Sequence, residues 1–271
     1  IIGNLIGAPF GGYILYYLSG NGGNSLQHFH IAYLACGIIG LISFGFTIKL
    51  MATGKTYTVQ TKNSMGEVWR RFFKGIREVI SDYRIIITSN MEGVQNLSVG
   101  ALEAFLPVYA VTVAGLTPFQ AGILWGAQVV TTILAKPVMG KISDRYGRKP
   151  IIFFGMWICA IPFACIPFTQ NIYLLLFLAS VFGVGEAFVT SSSAAMVAEF
   201  CKEQHYGAAM GTFGSIFDIG HASGPILAGL LLSHLSYQYT FLIIAVILIM
   251  ASFIFSLTIY ERTKLHKGVQ L

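Results

Sequence analysis

Charge is what this sequence has least of. Asp, Glu, Lys and Arg make up 10% of its 271 residues, against about 25% in a soluble domain. Hydrophobic residues make up 55%, and the mean hydropathy is +0.70. A water-soluble fold of this length has no way to hide so much apolar surface, so the solvent is lipid. Cysteines are few, and Cys36, Cys159, Cys165 and Cys201 have no metal-ligand spacing. Three of them sit in apolar runs, where a free thiol behaves as a small hydrophobe, which argues against a disulfide framework. H-E-x-x-H, G-x-S-x-G, a phosphate-cradling loop and paired Cys/His ligands are all missing, and the run Ser191-Ser192-Ser193 fits no nucleophile motif. The chain therefore reads as a non-enzyme with no catalytic residues, no metal and no cofactor. Its net charge of +6 comes from basic residues in connections, not from a stripe on a soluble face, so nucleic acid is not a partner.

What is present is length of apolar chain. A membrane-crossing helix needs about 20 mostly apolar residues. Eight stretches qualify, near 1–18, 29–51, 84–113, 118–139, 150–168, 171–199, 207–233 and 238–259. The expectation is an all-α polytopic membrane protein. The chain opens inside an apolar run with no charged flank, so it reads as a segment that begins within a helix. Connections 19–28, 114–117, 169–170 and 234–237 carry no Lys or Arg; all 17 basic residues fall on the other side. Retained positive loops mark the cytoplasmic face, which puts both chain ends in the cytoplasm and the protein in the cell (plasma or inner) membrane.

One charged stretch stands out between two apolar spans: Gly140-Lys141-Ile142-Ser143-Asp144-Arg145-Tyr146-Gly147-Arg148-Lys149. Read as a tight loop, it resembles the G-x-x-x-D-R-x-G-R-[RK] signature of the major facilitator superfamily of secondary transporters. Ala198-Glu199-Phe200 followed by Tyr206-Gly207-Ala208-Ala209-Met210-Gly211 resembles that family's connection between its tenth and eleventh helices. The resemblance implies a gating role for Gly140, Asp144, Arg145, Gly147, Arg148 and Glu199. Arg148 would pair with Glu199, and Asp144 would reach the inner end of the first span. Gly140 and Gly147 supply close approach and turn geometry.

Glycine and proline cluster in the first and seventh spans, as Gly7, Pro9 and Gly11 and as Gly220, Gly224 and Pro225. Small residues four apart let helix backbones approach closely, and proline bends the helix. Both clusters resemble the G-x-x-x-G-P motif in the fifth helix of the family's drug:proton antiporters, the first with one extra residue between Gly7 and Pro9. Pro9 and Pro225 lie 216 residues apart, the spacing of a six-helix internal repeat. The resemblance then makes this chain helices five to twelve of twelve: 1–51 closes the N-terminal bundle, 52–83 is a cytoplasmic linker, 84–260 is the C-terminal six-helix bundle, and 261–271 is a tail. Within the linker, Met65, Val68, Trp69, Phe72, Phe73, Ile76, Val79 and Ile80 form one apolar stripe, with Arg70, Arg71, Lys74 and Arg77 off it. Such a helix belongs in the headgroup layer, tethering the two bundles.

Acids inside the spans carry the functional reading. Glu92, Glu103, Glu186 and Asp218 interrupt apolar runs, and an ionisable group there faces a cavity, a partner or an ion path. Glu92, Asn96 and Glu103 share a helix face with Gln95 beside it; Glu186, Thr190 and Ser193 share another; Gly214, Asp218, His221 and Pro225 a third. These stripes suggest one wet cavity whose floor lies at the midplane, where secondary transporters bind substrate. The proton-coupling candidates are Glu92, Glu186, Asp218 and Glu103, with His221 as a relay for Asp218. The cavity candidates are Gln95, Asn96, Trp125, Gln128, Thr190 and Ser193. Lys136, taken to sit at the inner end of its span, is read as a snorkelling, topological residue. The implied function is proton-coupled efflux of amphiphilic drug-like molecules by a monomer working through alternating access. The partners are a small-molecule substrate, protons and the bilayer. The alternatives are a proton-coupled importer of sugars or other metabolites, and a transport-dead membrane scaffold or sensor.

Overall fold

The computed structural model describes residues 34, 37–38, 40–49 and 75–259. The first span with Gly7, Pro9 and Gly11, most of the linker stripe and the tail 261–271 lie outside the described residues. Of the second span, the apolar helix Gly40–Lys49 is described.

Among the described residues, six helices are long and apolar enough to cross a membrane: α1 (Tyr83–Thr112), α2 (Pro118–Tyr146), α3 (Arg148–Cys165, extended by a 3-10 turn to Phe168), α4 (Ile172–Phe200), α5 (Tyr206–Leu232) and α6 (Tyr237–Thr258). No strand occurs among the described residues. This is an all-α integral membrane protein. Local chemistry sets the helix starts. Asp82 caps α1, its carboxylate accepting from the Arg84 backbone N–H at 3.0 Å and pairing with the Arg84 guanidinium at 2.7 Å. That side-chain pairing, ahead of its other contacts, holds the Asp82 carboxyl below the usual carboxylate range. Thr117 and Gln120 form a reciprocal capping box ahead of Pro118, satisfying donors the first turn would leave orphaned. Asn171 caps α4 through the Tyr173 N–H at 2.9 Å.

The bundle is organised around α4, which packs on α2 and on α3, while α1 pairs with α5 and α3 with α6. Glycines make these contacts close. A side chain at Gly183 would strike the Gln128 carbonyl and Thr131 on α2, and one at Gly185 would meet the Cys159 backbone N on α3 at 2.8 Å. Two residues of one turn thus let α4 approach neighbours on two sides, with Glu186 beside them. On the α1–α5 seam a Cβ at Gly220 would run into the Gly93 carbonyl, and one at Gly224 into the Leu97 carbonyl. The apolar core centres on Phe163, stacked on Phe241 at 4.5 Å and tilted against Phe182 at 5.9 Å. Outward faces stay apolar, with Leu134, Ile226 and Leu257 exposed, as a lipid-facing surface requires.

The structure differs from the sequence reading at the charged stretch. Residues 140–146 are not a loop; they are the last turns of α2, and α3 restarts at Arg148 after Gly147 alone. Gly147 has φ 93°, a conformation that strains any residue with a Cβ. Gly140 stays helical with nothing within 4 Å of a Cβ placed on it, so it makes no close approach among the described residues. Hydropathy marks where a helix leaves the apolar layer, and a helix has no reason to stop there. The end of the linker stripe also differs. Residues 75–81 are helical, with Gly75 and Val79 buried against the bundle beside Ala208, Ala209 and Val197 and not turned to headgroups. The His205 Nε2 lies 2.9 Å from Glu78 Oε2 and ties this helix to the α4–α5 connection.

Candidate substrate and proton site

Two acids lie inside the bundle, each hydrogen-bonded to a neighbouring helix. Glu92 on α1 is fully buried. One of its oxygens accepts from the Ser193 hydroxyl of α4 at 2.7 Å and the other from the Asn96 amide at 3.1 Å. Thr190 stands on the same α4 face as Ser193, and the Asn96 amide also reaches the Gln95 carbonyl oxygen at 3.1 Å. Glu186 on α4 faces α2. Its Oε2 accepts from the Gln128 amide and lies 3.1 Å from Thr132 Oγ1, which is itself 3.0 Å from the Gly183 carbonyl. A buried carboxyl is tolerable only when its lone pairs are used, and here α1, α2 and α4 each supply donors. Gln128 Oε1, by contrast, has no partner among the described residues. An amide carries both donor and acceptor, so by turning over Gln128 can serve Glu186 with or without a proton.

The structure brings Glu92, Gln95, Asn96, Gln128, Glu186, Thr190 and Ser193 into one polar cluster. It does not bring the α5 stripe there. Gly220 and Gly224 press α5 on α1, and Asp218, two residues or about 200° around the helix from Gly220, stands on the far side. Among the described residues, His221 pairs with Glu103 and not with Asp218. The ring lies 3.2 Å from Glu103 Oε2 on α1 and is stacked on Phe217. Glu103 shares a helix face with Glu92 but sits eleven residues further along, half exposed. Trp125 packs in the apolar core. Sequence reasoning missed Thr132, which completes the Glu186 site. Its signal was the four-residue step from Gln128 along one face of α2.

At the end of the bundle that carries the basic residues, Arg148 joins two helices. Its Nε lies 2.8 Å from Glu199 Oε1 at the end of α4, and its Nη2 lies 3.0 Å from Asp144 Oδ1 at the end of α2. Asp144 is thus engaged by its own turn; the first span, the target expected for it, is outside the described residues. The Arg145 guanidinium lies over the Tyr146 ring at 5.6 Å. The Arg84 guanidinium lies over Phe200 at 5.0 Å, joining α1 to the end of α4. A cleft of about 740 Å³ opens at this end, between Arg77, Asp82, Phe200 and Lys202.

Comparison with known proteins agrees with this architecture. Residues 92–270 match the family model of the Major Facilitator Superfamily. Among curated proteins, the chain is 27% identical over 158 residues to the multi-drug resistance efflux pump PmrA of Streptococcus pneumoniae, covering 57% of this chain and 39% of that protein. It is 28% identical over 195 residues to the staphyloferrin B transporter of Staphylococcus aureus, covering 69% and 45%. It is 26% identical over 174 residues to the synaptic vesicular amine transporter of Homo sapiens, covering 62% and 34%. The chain spans less than half the length of these relatives. With six membrane-length helices, a capped all-α bundle and a family match over about two thirds of its length, this chain belongs to the Major Facilitator Superfamily.

Proposed function

We propose that the protein containing this chain is a secondary transporter that exports amphiphilic, drug-like molecules in exchange for protons across the cell membrane. The chain supplies its C-terminal bundle, with the basic end in the cytoplasm. The observation that carries the reading is the Glu92–Glu186 cluster: two carboxyls at membrane depth, each hydrogen-bonded across helices, one with an amide partner able to follow its protonation. Intramembrane acids with named partners are functional groups by default, and proton exchange is the chemistry a carboxyl has to offer. Support for the drug-like substrate comes from the PmrA likeness. Alternating access follows from the two-bundle plan, with Arg148 biasing one state through its ties to α2 and α4.

The test is flux of a cationic dye, ethidium, into liposomes carrying the full-length protein with an imposed pH gradient. Uptake should follow the gradient and collapse with a proton ionophore. Dye flux indifferent to the gradient removes the coupling, and no dye flux at all removes the drug-like substrate. Arg148→Ala loses both ion pairs, each worth up to about 1 kcal/mol when partly exposed. The balance of inward- and outward-open forms should shift by roughly fivefold or more. Labelling rates of cysteines placed at the two mouths read this shift, and equal rates in variant and parent count against the gating role.

A further inference from the structure

We propose that Lys136 is the resident counter-cation of the Glu92–Glu186 cluster, leaving that cluster room for one further positive charge. The inference rests on the site described above and deepens it. Three features of position carry it. First, α2 runs on to Tyr146, so Lys136 lies ten residues from the helix end, about 15 Å inside it. The charged turns from Lys141 put the lipid edge about five residues beyond Lys136, so its stem lies in the apolar layer, one turn from Thr132. Second, the depth is shared: Glu92 lies nine residues from the start of α1 and Thr190 ten from the end of α4, all measured from the basic end. Third, Lys136 is on the inward stripe of α2. Leu124, Gln128, Thr132 and Ser143 are buried, and Lys136 continues their spacing one turn after Thr132, which touches Glu186. Leu134 and Val138, on either side, are exposed instead.

The acids on the packed helices are Glu186 on α4, reached through Thr132 one turn before Lys136, and Glu92 on α1, bonded to Ser193 of α4. On α3, the Cys159 Sγ lies 3.9 Å from the Gln95 amide nitrogen. Among the described residues Lys136 forms no ion pair within hydrogen-bonding distance, so it is not locked to either acid. With both carboxyls ionised, the three groups carry net −1. One proton or one monovalent cation neutralises them, and the two compete for the same vacancy. Without Lys136 the balance is −2, and two positive charges fit.

Two readouts on the purified full-length protein test this. Infrared spectroscopy follows the carbonyl band of protonated carboxyls against pH. Lys136→Met should enlarge that band at neutral pH, because a carboxylate without its counter-cation holds a proton more firmly; Lys136→Arg should leave it at the parent level. Glu186→Gln identifies which part of the band belongs to the cluster. An unchanged band in Lys136→Met overturns the proposal. The second readout is binding of ethidium, a monocation, against propidium, a dication with the same ring system. Lys136→Met should favour propidium by roughly tenfold relative to the parent, the order of one uncompensated partly buried charge. An unchanged ratio overturns the charge count. A parent that binds neither dye weighs against the drug-exporter reading, and the infrared result then decides the role of Lys136 by itself. Should Lys136→Met not fold, Lys136→Gln and the Arg variant supply the same comparison.

Discussion

Glu186→Gln in the full-length protein is expected to uncouple substrate movement from the proton gradient. Gradient-driven dye accumulation should fall by at least about tenfold, within the 5–150-fold range that coupling energies of about 1–3 kcal/mol produce. Downhill exchange of dye against dye should persist. The substitution keeps the shape of the side chain and its place between Gln128 and Thr132, but an amide does not release a proton. Loss of both fluxes would indicate damage to the fold, and thermal stability of the purified variant separates that case. Glu92→Gln is the companion experiment: its carboxyl is fully buried and bonded across α1 and α4, so it should uncouple as well. If both variants accumulate dye like the parent, neither acid carries the coupled proton and the proposed mechanism is wrong.

The largest effect on stability is expected at Gly220. A side chain there is driven into the Gly93 carbonyl of α1. The obstacle is backbone, which cannot turn to another rotamer, so α1 and α5 must move apart along their seam. Gly220→Val should therefore cost at least about 3 kcal/mol, the upper part of the overpacking range. For a chain of this size that corresponds to a fall in Tm of roughly 6–12 °C. Gly214 lies on the same helix, and a Cβ placed on it meets nothing within 4 Å among the described residues; Gly214→Val is the control and should stay within about 0.5 kcal/mol of the parent, as surface changes do. Thermal unfolding of both variants in detergent reads the difference. Equal Tm values would mean that the seam is not built on glycine.

Much of this architecture was legible in the residues. The runs of apolar side chains locate six described spans within a few residues at most ends, because each span must be long and apolar whatever its neighbours are. The α2 terminus is the exception. Lys141, Asp144 and Arg145 read as a loop because they are charged, yet hydropathy reports only where chain leaves lipid, and here the backbone hydrogen bonds continue to Tyr146.

The pairing of helices was not legible. Glu92 and Glu103 share a face of α1, and Asp218 and His221 share a face of α5, so periodicity treats the members of each pair alike. Packing separates them: Glu92 meets Ser193, Glu103 meets His221, and Asp218 faces away because the glycine two residues on holds α5 against α1. What the residues alone determined is that the chain crosses a membrane repeatedly, that its cations gather at one end, and which side chains lie on which helix face. Only the tertiary structure decided which face meets which neighbour, and so which carboxyls gain donors from other helices. The reason is that amphipathic spacing is a property of one helix, whereas desolvation and its compensation depend on contacts between residues far apart in the chain.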